Sequence, residues 1–375
     1  MTNFNFFICF IEYKVYIWYN KGVFLKKGEI MGAKINQYKV NGKEYTEIVV
    51  EDDGFIVKLC DLGASIRDII FHGKHMVAAP DSFEEFITNG SYYGRTIGRC
   101  AGRIAKGQFT LNKKTYQLKL NADNMHSMHG GLDGLAFKRF DYNVDEEIDK
   151  IKVRFTYFMP SMDDGFPGGL TVKVTYTIYN NKVRIDYFAN TTDDTLCNLS
   201  NHSYFNIGGN LCHDILNQEL QINASKYGKP DYTKIIESVI PIIEGNAFDF
   251  TKPRRIGTTI NNPIVLKHTN GYDHCYMLDN PGIENKAAIL VDRESYTKMT
   301  VYTTYPSLVI YTCNYSDELI GLGGKPILPR YAICFEAQFI PNGINMNKID
   351  KDQMGILRKK DTYHQAIIYQ FEQLY

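Results

Sequence analysis

From Leu170 to Thr192 the side chains alternate between apolar and polar with a period of two. Val172, Val174, Tyr176 and Ile178 are interleaved with Lys173, Thr175 and Thr177. After Asn180-Asn181 the pattern resumes, with Val183, Ile185 and Tyr187 between Lys182, Arg184 and Asp186. Successive side chains of a strand point to opposite faces, so this stretch reads as an antiparallel hairpin with one buried face and a turn at the two asparagines. Similar strands are predicted at Gly54–Cys60, Ile151–Phe158, Ala288–Val291, Lys298–Thr304 and Leu308–Thr312, whereas helices are short, such as Ser82–Ile87. With no Pro/Ser-rich linker, internal repeat or long charge run, the pattern predicts an all-β chain forming one large antiparallel β-sandwich domain.

The composition narrows the function. Lys and Arg number 42, Asp and Glu 42, and the formal charge is +0. Nothing in that balance attracts a polyanion or an anionic membrane surface, so no nucleic-acid or membrane partner is expected. The eight cysteines include no C-x-x-C pair and sit mostly in apolar contexts, as reduced thiols of a cytoplasmic protein do.

Residues 4–19 are apolar and aromatic, but Glu12 and Lys14 interrupt them and leave a run too short to span a bilayer. No cationic segment precedes it and no small-residue cleavage site follows, so it does not read as a secretory signal. The codons for Gly28-Glu29 can spell a ribosome-binding tract, and Met31 follows at a suitable distance. Translation is therefore expected to begin at Met31, with 1–30 an upstream extension and 31–375 a single domain.

Three separated polar clusters carry the chemistry: Arg103 with His129-Gly130-Gly131, then Asn201 to Asn206, then Phe335-Glu336. Each adjoins a predicted strand, and together they offer one carboxylate, two imidazoles and a guanidinium, a set suited to moving protons on a neutral polar molecule. Glu336 lies in the apolar run Ala332–Phe339. It is either an edge residue facing water or a buried acid whose pKa burial raises toward the range of a general base. His202 is either a turn histidine or an imidazole oriented through both nitrogens by its polar neighbours. His129 precedes two glycines that permit close approach to a ligand. Arg103 donates either to ligand hydroxyls or to a carboxylate, and Asp273 is either a turn former or an acceptor for hydroxyls. His126/His129 and His72/His75 lack a third ligand at metal-site spacing, so no metal is expected. No P-loop, dinucleotide or serine-nucleophile signature is present.

The ordered set Gly98-Arg99-x-x-Gly102-Arg103-Ile104-Ala105-Lys106-Gly107, His129-Gly130-Gly131, Asn201-His202-Ser203-Tyr204-Phe205-Asn206, Gly271-Tyr272-Asp273-His274 and Phe335-Glu336-Ala337-Gln338 resembles the aldose 1-epimerases (galactose mutarotases) from about Gln37 to the C-terminus. The resemblance implies a mutarotase-type supersandwich with a sugar cleft, acting as a monomer or homodimer on a free monosaccharide such as galactose or glucose without a cofactor. It implies Glu336 as catalytic base, His202 as catalytic acid, and Arg103, His129, Tyr204 and Asp273 as substrate-binding residues. At ordinary pKa values of about 4.3 and about 6.5, Glu336 is ionised at neutral pH and His202 is partly protonated. The chain departs from the family pattern at four places: Gly102 where Asn is common, Val309 for a glutamine that often contacts sugar, Ala337 for Pro, and Asn342 for Asp. Three rivals remain at this point. A glycoside hydrolase would use Glu336 and Asp273 but leave His202 idle. A hexose-phosphate epimerase would need a cationic pocket, for which Arg99 and Arg103 are candidates. A non-enzymatic sugar-binding module would bind without accelerating any reaction.

Overall fold

The computed structural model describes residues 31–375 in full and, of the preceding thirty, only three short strands, Phe7–Ile11, Lys14–Trp18 and Phe24–Lys26, which pair with one another. The expectation that 1–30 is an upstream extension falls largely on residues outside those described.

Two large antiparallel sheets make the body of the fold. The first runs, in spatial order, Asp141–Glu146, Ile151–Met159, Leu170–Tyr179, Lys182–Thr191, Tyr363–Gln373, Thr297–Thr303, Gly282–Asp292, Glu219–Ile222 and Arg254–Arg255. The second runs Ile236–Pro241, Ala224–Pro230, Asp273–Leu278, Ser307–Tyr311, Ile333–Gln338, Tyr204–Phe205 and Val77–Ala78. A third, five-stranded sheet is built from Gly32–Val40 to Lys74–His75.

The hairpin read from the alternation is present at Leu170–Tyr179 and Lys182–Thr191. Asn180 and Asn181 both take positive φ, 48° and 56°, the geometry of a tight turn whose twist matches the flanking strands. Register pairs Ile178 with Val183, Tyr176 with Ile185 and Val174 with Tyr187, and all six side chains are buried. The other expected strands lie within a few residues of their predicted bounds, though Gly282–Asp292 extends well beyond Ala288–Val291. The short helix is Phe83–Thr88, with Ser82 as its cap rather than its first residue: the Ser82 Oγ accepts the Glu85 N–H at 3.3 Å. A second helix, Pro263–Thr269, was not anticipated, although Asn262 before a first-turn proline is a start signal.

The core lies where the two large sheets face one another. Phe205 packs on Tyr369 with ring centroids 4.7 Å apart, and the Tyr369 hydroxyl donates to the Phe335 carbonyl at 3.2 Å. Because side chains alternate, burying Ile333, Phe335 and Ala337 against the first sheet turns Cys334, Glu336 and Gln338 to the opposite face of the second. The long-range arrangement thus aims the acid away from the main core.

The segment carrying His202 is fixed through Gly94. The Gly94 N–H donates to the His202 carbonyl and the His202 N–H to the Arg95 carbonyl, both at 3.0 Å. Gly94 has φ +63°, and a Cβ there would sit 1.7 Å from the Ile66 carbonyl oxygen. Gly94→Ala is expected to cost about 3 kcal/mol or more of stability, read as a lower midpoint in urea unfolding; an unchanged midpoint would contradict this packing.

Candidate active site

The outward face of the second sheet forms aligned rows. Register places Cys275 beside Val309 and Val309 beside Glu336; one row over, Asp273 lies beside Tyr311, Tyr311 beside Cys334 and Cys334 beside Tyr204. Loops from the first half of the chain close over these rows and leave a cavity of about 200 Å³ that opens to solvent and is lined by Glu336, His202, His129, Arg103, Asp273, Tyr204 and Gln338 among others. All six residues singled out from the sequence line it.

At its floor His202 Nε2 lies 3.4 Å from Glu336 Oε1, and the two residues are 5% and 3% exposed. Tyr92 stacks on the His202 ring at 5.7 Å, with Tyr204 at 4.9 Å and His129 edge-on at 5.4 Å. The polar neighbours of His202 do a different job from the one expected of them. Asn201 donates to the Gly94 carbonyl at 2.8 Å and accepts the Ser203 N–H at 3.1 Å, so it shapes the backbone, while aromatic rings surround the imidazole.

Arg103 and His129 come together because Arg103 pairs with Met128 in a two-residue ladder. The His129 N–H donates to the Gly102 carbonyl at 3.0 Å, and the Gly102 N–H donates to His129 Nδ1 at 3.2 Å. Arg103 Nη1 stands 3.8 Å from Asp273 Oδ2, so Asp273 is an ion-pair partner as well as a pocket residue.

Burial sets the protonation. It pushes the Glu336 carboxyl up to about 8; the Asp273 charge adds to this, while Arg103 and the Gln338 side chain work against it. Burial pushes His202 down to about 4, with a hydrogen bond to its own main chain and the Asp273 charge opposing. His129 is held well below the ordinary histidine value by burial and by the neighbouring His202 and Arg103. The expectation of an ionised Glu336 at neutral pH is therefore corrected. Burial favours the neutral form of both groups, so near neutrality the pair holds one proton, on the Glu336 carboxyl.

One ligating atom each from His129, His202 and Glu336 lie within 4.8 Å of one another, a spacing that suits a metal ion. The donor set does not. His129 Nδ1 is occupied by the Gly102 N–H, which places the ring proton on Nε2, so this histidine offers the cavity a donor rather than a lone pair. Of the other histidines considered, His75 Nδ1 binds Asp68 at 2.9 Å and His126 Nδ1 accepts the Lys106 N–H at 3.0 Å.

Comparison with known proteins decides the family. Residues 46–370 match the aldose 1-epimerase family. The galactose mutarotase of Homo sapiens is 31% identical over 307 residues, covering 82% of this chain and 86% of that one. The aldose 1-epimerase of Escherichia coli K12 is 27% identical over 88% of this chain and 96% of its own. The crystal structure of galactose 1-epimerase from Lactobacillus acidophilus superposes with a TM-score of 0.81 at 28% identity, covering 92% of this chain and 100% of that one.

The chain belongs to the aldose 1-epimerase family. It is an isomerase that interconverts the α and β anomers of aldoses.

As an aldose 1-epimerase it carries residues at the site that the sequence did not single out. Tyr92 packs on both histidines, and Gln338 Nε2 approaches Glu336 Oε2 at 3.5 Å. The period-two rule finds Gln338, two residues from Glu336 on the same face; no local signal finds Tyr92, which arrives from a loop. Arg99, weighed as a phosphate ligand, is fully buried, and its guanidinium donates to the carbonyls of Pro167 at 2.8 Å and Gly168 at 2.6 Å, so it braces loops instead.

The four departures have separate physical meanings. Val309 lies beside Glu336 in register and packs with Cys275 and Ile340, so it helps to dry the carboxyl. Ala337 is buried on the opposite face. Asn342 Oδ1 accepts the Ala105 N–H at 3.1 Å and ties the Arg103 loop in place. Gly102 has φ +71°, and a Cβ there would meet the Pro341 ring at 2.7 Å. Gly102→Asn, although it restores the commoner family residue, is expected to raise KM roughly tenfold, about 1.4 kcal/mol of binding, measured by coupled assay; a lower KM would contradict the steric argument.

Proposed function

We propose that Glu336 and His202 are the proton-transfer pair of this epimerase, with Arg103, His129, Asp273 and Tyr204 holding a free neutral aldose of the galactose or glucose type above them. The observation that carries the reading is the 3.4 Å approach of His202 Nε2 to Glu336 Oε1 at the floor of the cavity. A hydrolase using Glu336 and Asp273 would leave that approach without a purpose. Arg103 and Gln338 line the same cavity, and a guanidinium and a side-chain amide suit sugar hydroxyls. The free cysteines of the described residues fit the reducing compartment expected of such an enzyme.

In the working form Glu336 is a carboxylate and His202 an imidazolium. Glu336 takes the proton of the C1 hydroxyl, and the electron pair left on O1 forms the C1=O double bond. The C1–O5 bond breaks, and O5 takes the His202 proton. The products are an open-chain aldehyde, a carboxylic acid and a neutral imidazole. Rotation about C1–C2 presents the other face of the aldehyde, and reclosure runs both transfers backwards, so nothing is oxidised or reduced and no proton is gained or lost. The resting pair has the proton distribution of the open-chain state. Arg103 beside Glu336, and Asp273 acting on His202, ease the shift to the charged form that opens the ring. Each positioned group of this kind contributes about 10²–10⁴-fold.

Polarimetry on freshly dissolved α-D-glucose and α-D-galactose tests the assignment. Glu336→Gln and His202→Asn are each expected to lower kcat by about 10²–10⁴-fold with the fold intact by circular dichroism. Near-normal turnover in either would remove that residue from its role.

The pH profile of kcat/KM follows from the shared proton. Above about 8 the free enzyme's Glu336 is ionised while His202 is already neutral, so the pair has no proton to give. Below about 4 both groups are protonated and none accepts. A bell with limbs near these values is expected; an acid limb at the ordinary imidazole value would mean that His202 is not desolvated in solution.

A further inference from the structure

Cys334 has no part in the ring opening described above, yet it touches the acid. Two residues before Glu336 on the same strand, it shares that residue's outward face. Its Sγ lies 3.5 Å from His202 Nδ1, and both residues are buried. The imidazole is thus held at both nitrogens, by Cys334 at Nδ1 and by Glu336 at Nε2, 3.4 Å away.

A neutral imidazole has one N–H and one lone pair. For His202 to receive the proton resting on Glu336 and pass it to O5, the lone pair must be on Nε2 and the N–H on Nδ1. That tautomer needs an acceptor at Nδ1. The His202 main chain also bonds to the ring and favours its charged form, but its carbonyl already accepts the Gly94 N–H at 3.0 Å, and the Cys334 sulfur is the side-chain acceptor placed at Nδ1. Burial and the nearby Glu336 hold the Cys334 thiol well above its ordinary value, so the sulfur stays neutral. A thiolate there would instead pin the imidazolium and stop it giving up its proton.

We propose that Cys334 is a positioning residue whose sulfur accepts the Nδ1–H of His202 and holds the imidazole in the tautomer that turns its Nε2 lone pair toward Glu336. This rests on the assignment of Glu336 and His202 as the proton-transfer pair.

The test combines kinetics with ¹⁵N NMR of the histidine rings in the full chain, the His202 signals being identified by their loss in His202→Asn. In the unsubstituted protein at neutral pH, His202 is expected as the Nδ1–H tautomer. Cys334→Ala is expected to shift it toward Nε2–H and to lower kcat about tenfold, the size of one lost hydrogen bond, with KM for galactose within about twofold. Cys334→Ser keeps an oxygen acceptor and is expected to recover most of the kcat and the Nδ1–H signal. Should the alanine variant not fold, the unsubstituted and serine spectra decide. An Nε2–H tautomer in the unsubstituted protein, or an alanine variant with unchanged kcat and tautomer, overturns the proposal. The tautomer readout is independent of turnover: active Glu336→Gln or His202→Asn variants would sink the catalytic assignment, whereas the spectrum reports on the Cys334 contact itself.

Discussion

The site depends on the cost of keeping one carboxyl dry. Glu336 is in mid-strand, flanked in register by Val309 and 3% exposed. Among the described residues no cation restores its ordinary acidity: Arg103 favours the carboxylate but is engaged with Asp273. An isolated buried carboxylate is unfavourable, so the group keeps its proton near neutrality, with His202 Nε2 3.4 Å away. A carboxyl at its ordinary value would surrender that proton to water and leave the pair without an acid.

That desolvation is built by layers rather than by the site itself. The first sheet covers Phe335, Phe205 and their neighbours on one face of the second, which fixes the direction of Glu336. Loops from the N-terminal half then supply Tyr92, Arg103, His129 and, through Gly94, the backbone that pins His202. The charges are arranged to moderate burial without cancelling it: Asp273 draws a proton toward the pair while Arg103 favours the carboxylate. Both anomers require the transfers to run in either direction, and a pair whose neutral and charged forms are both accessible can do that.

Much of this was legible in the residue order. The Leu170–Thr192 alternation gave both strands, the turn and the buried face, because a period of two has one structural meaning when it is sustained. The ordered motifs led to the six cavity residues because each motif is short and local. What escaped was everything set by contacts between distant segments. Tyr92 carries no local mark. The polar residues around His202 suggested an oriented imidazole, yet their hydrogen bonds go to the main chain and aromatic rings hold the ring. Gly102 read as a lost polar contact, whereas its positive φ and the Pro341 ring against it make it a steric requirement.

The sequence by itself determined the all-β architecture, the family and which residues gather at the cavity, because strand periodicity and short motifs are written in consecutive residues. Only the tertiary structure decided which side of the sheet Glu336 faces, how close His202 comes to it, and where their shared proton rests. Those properties follow from burial and distance between segments up to 200 residues and more apart, such as Arg103 and Glu336, and no local pattern encodes the water that their meeting excludes.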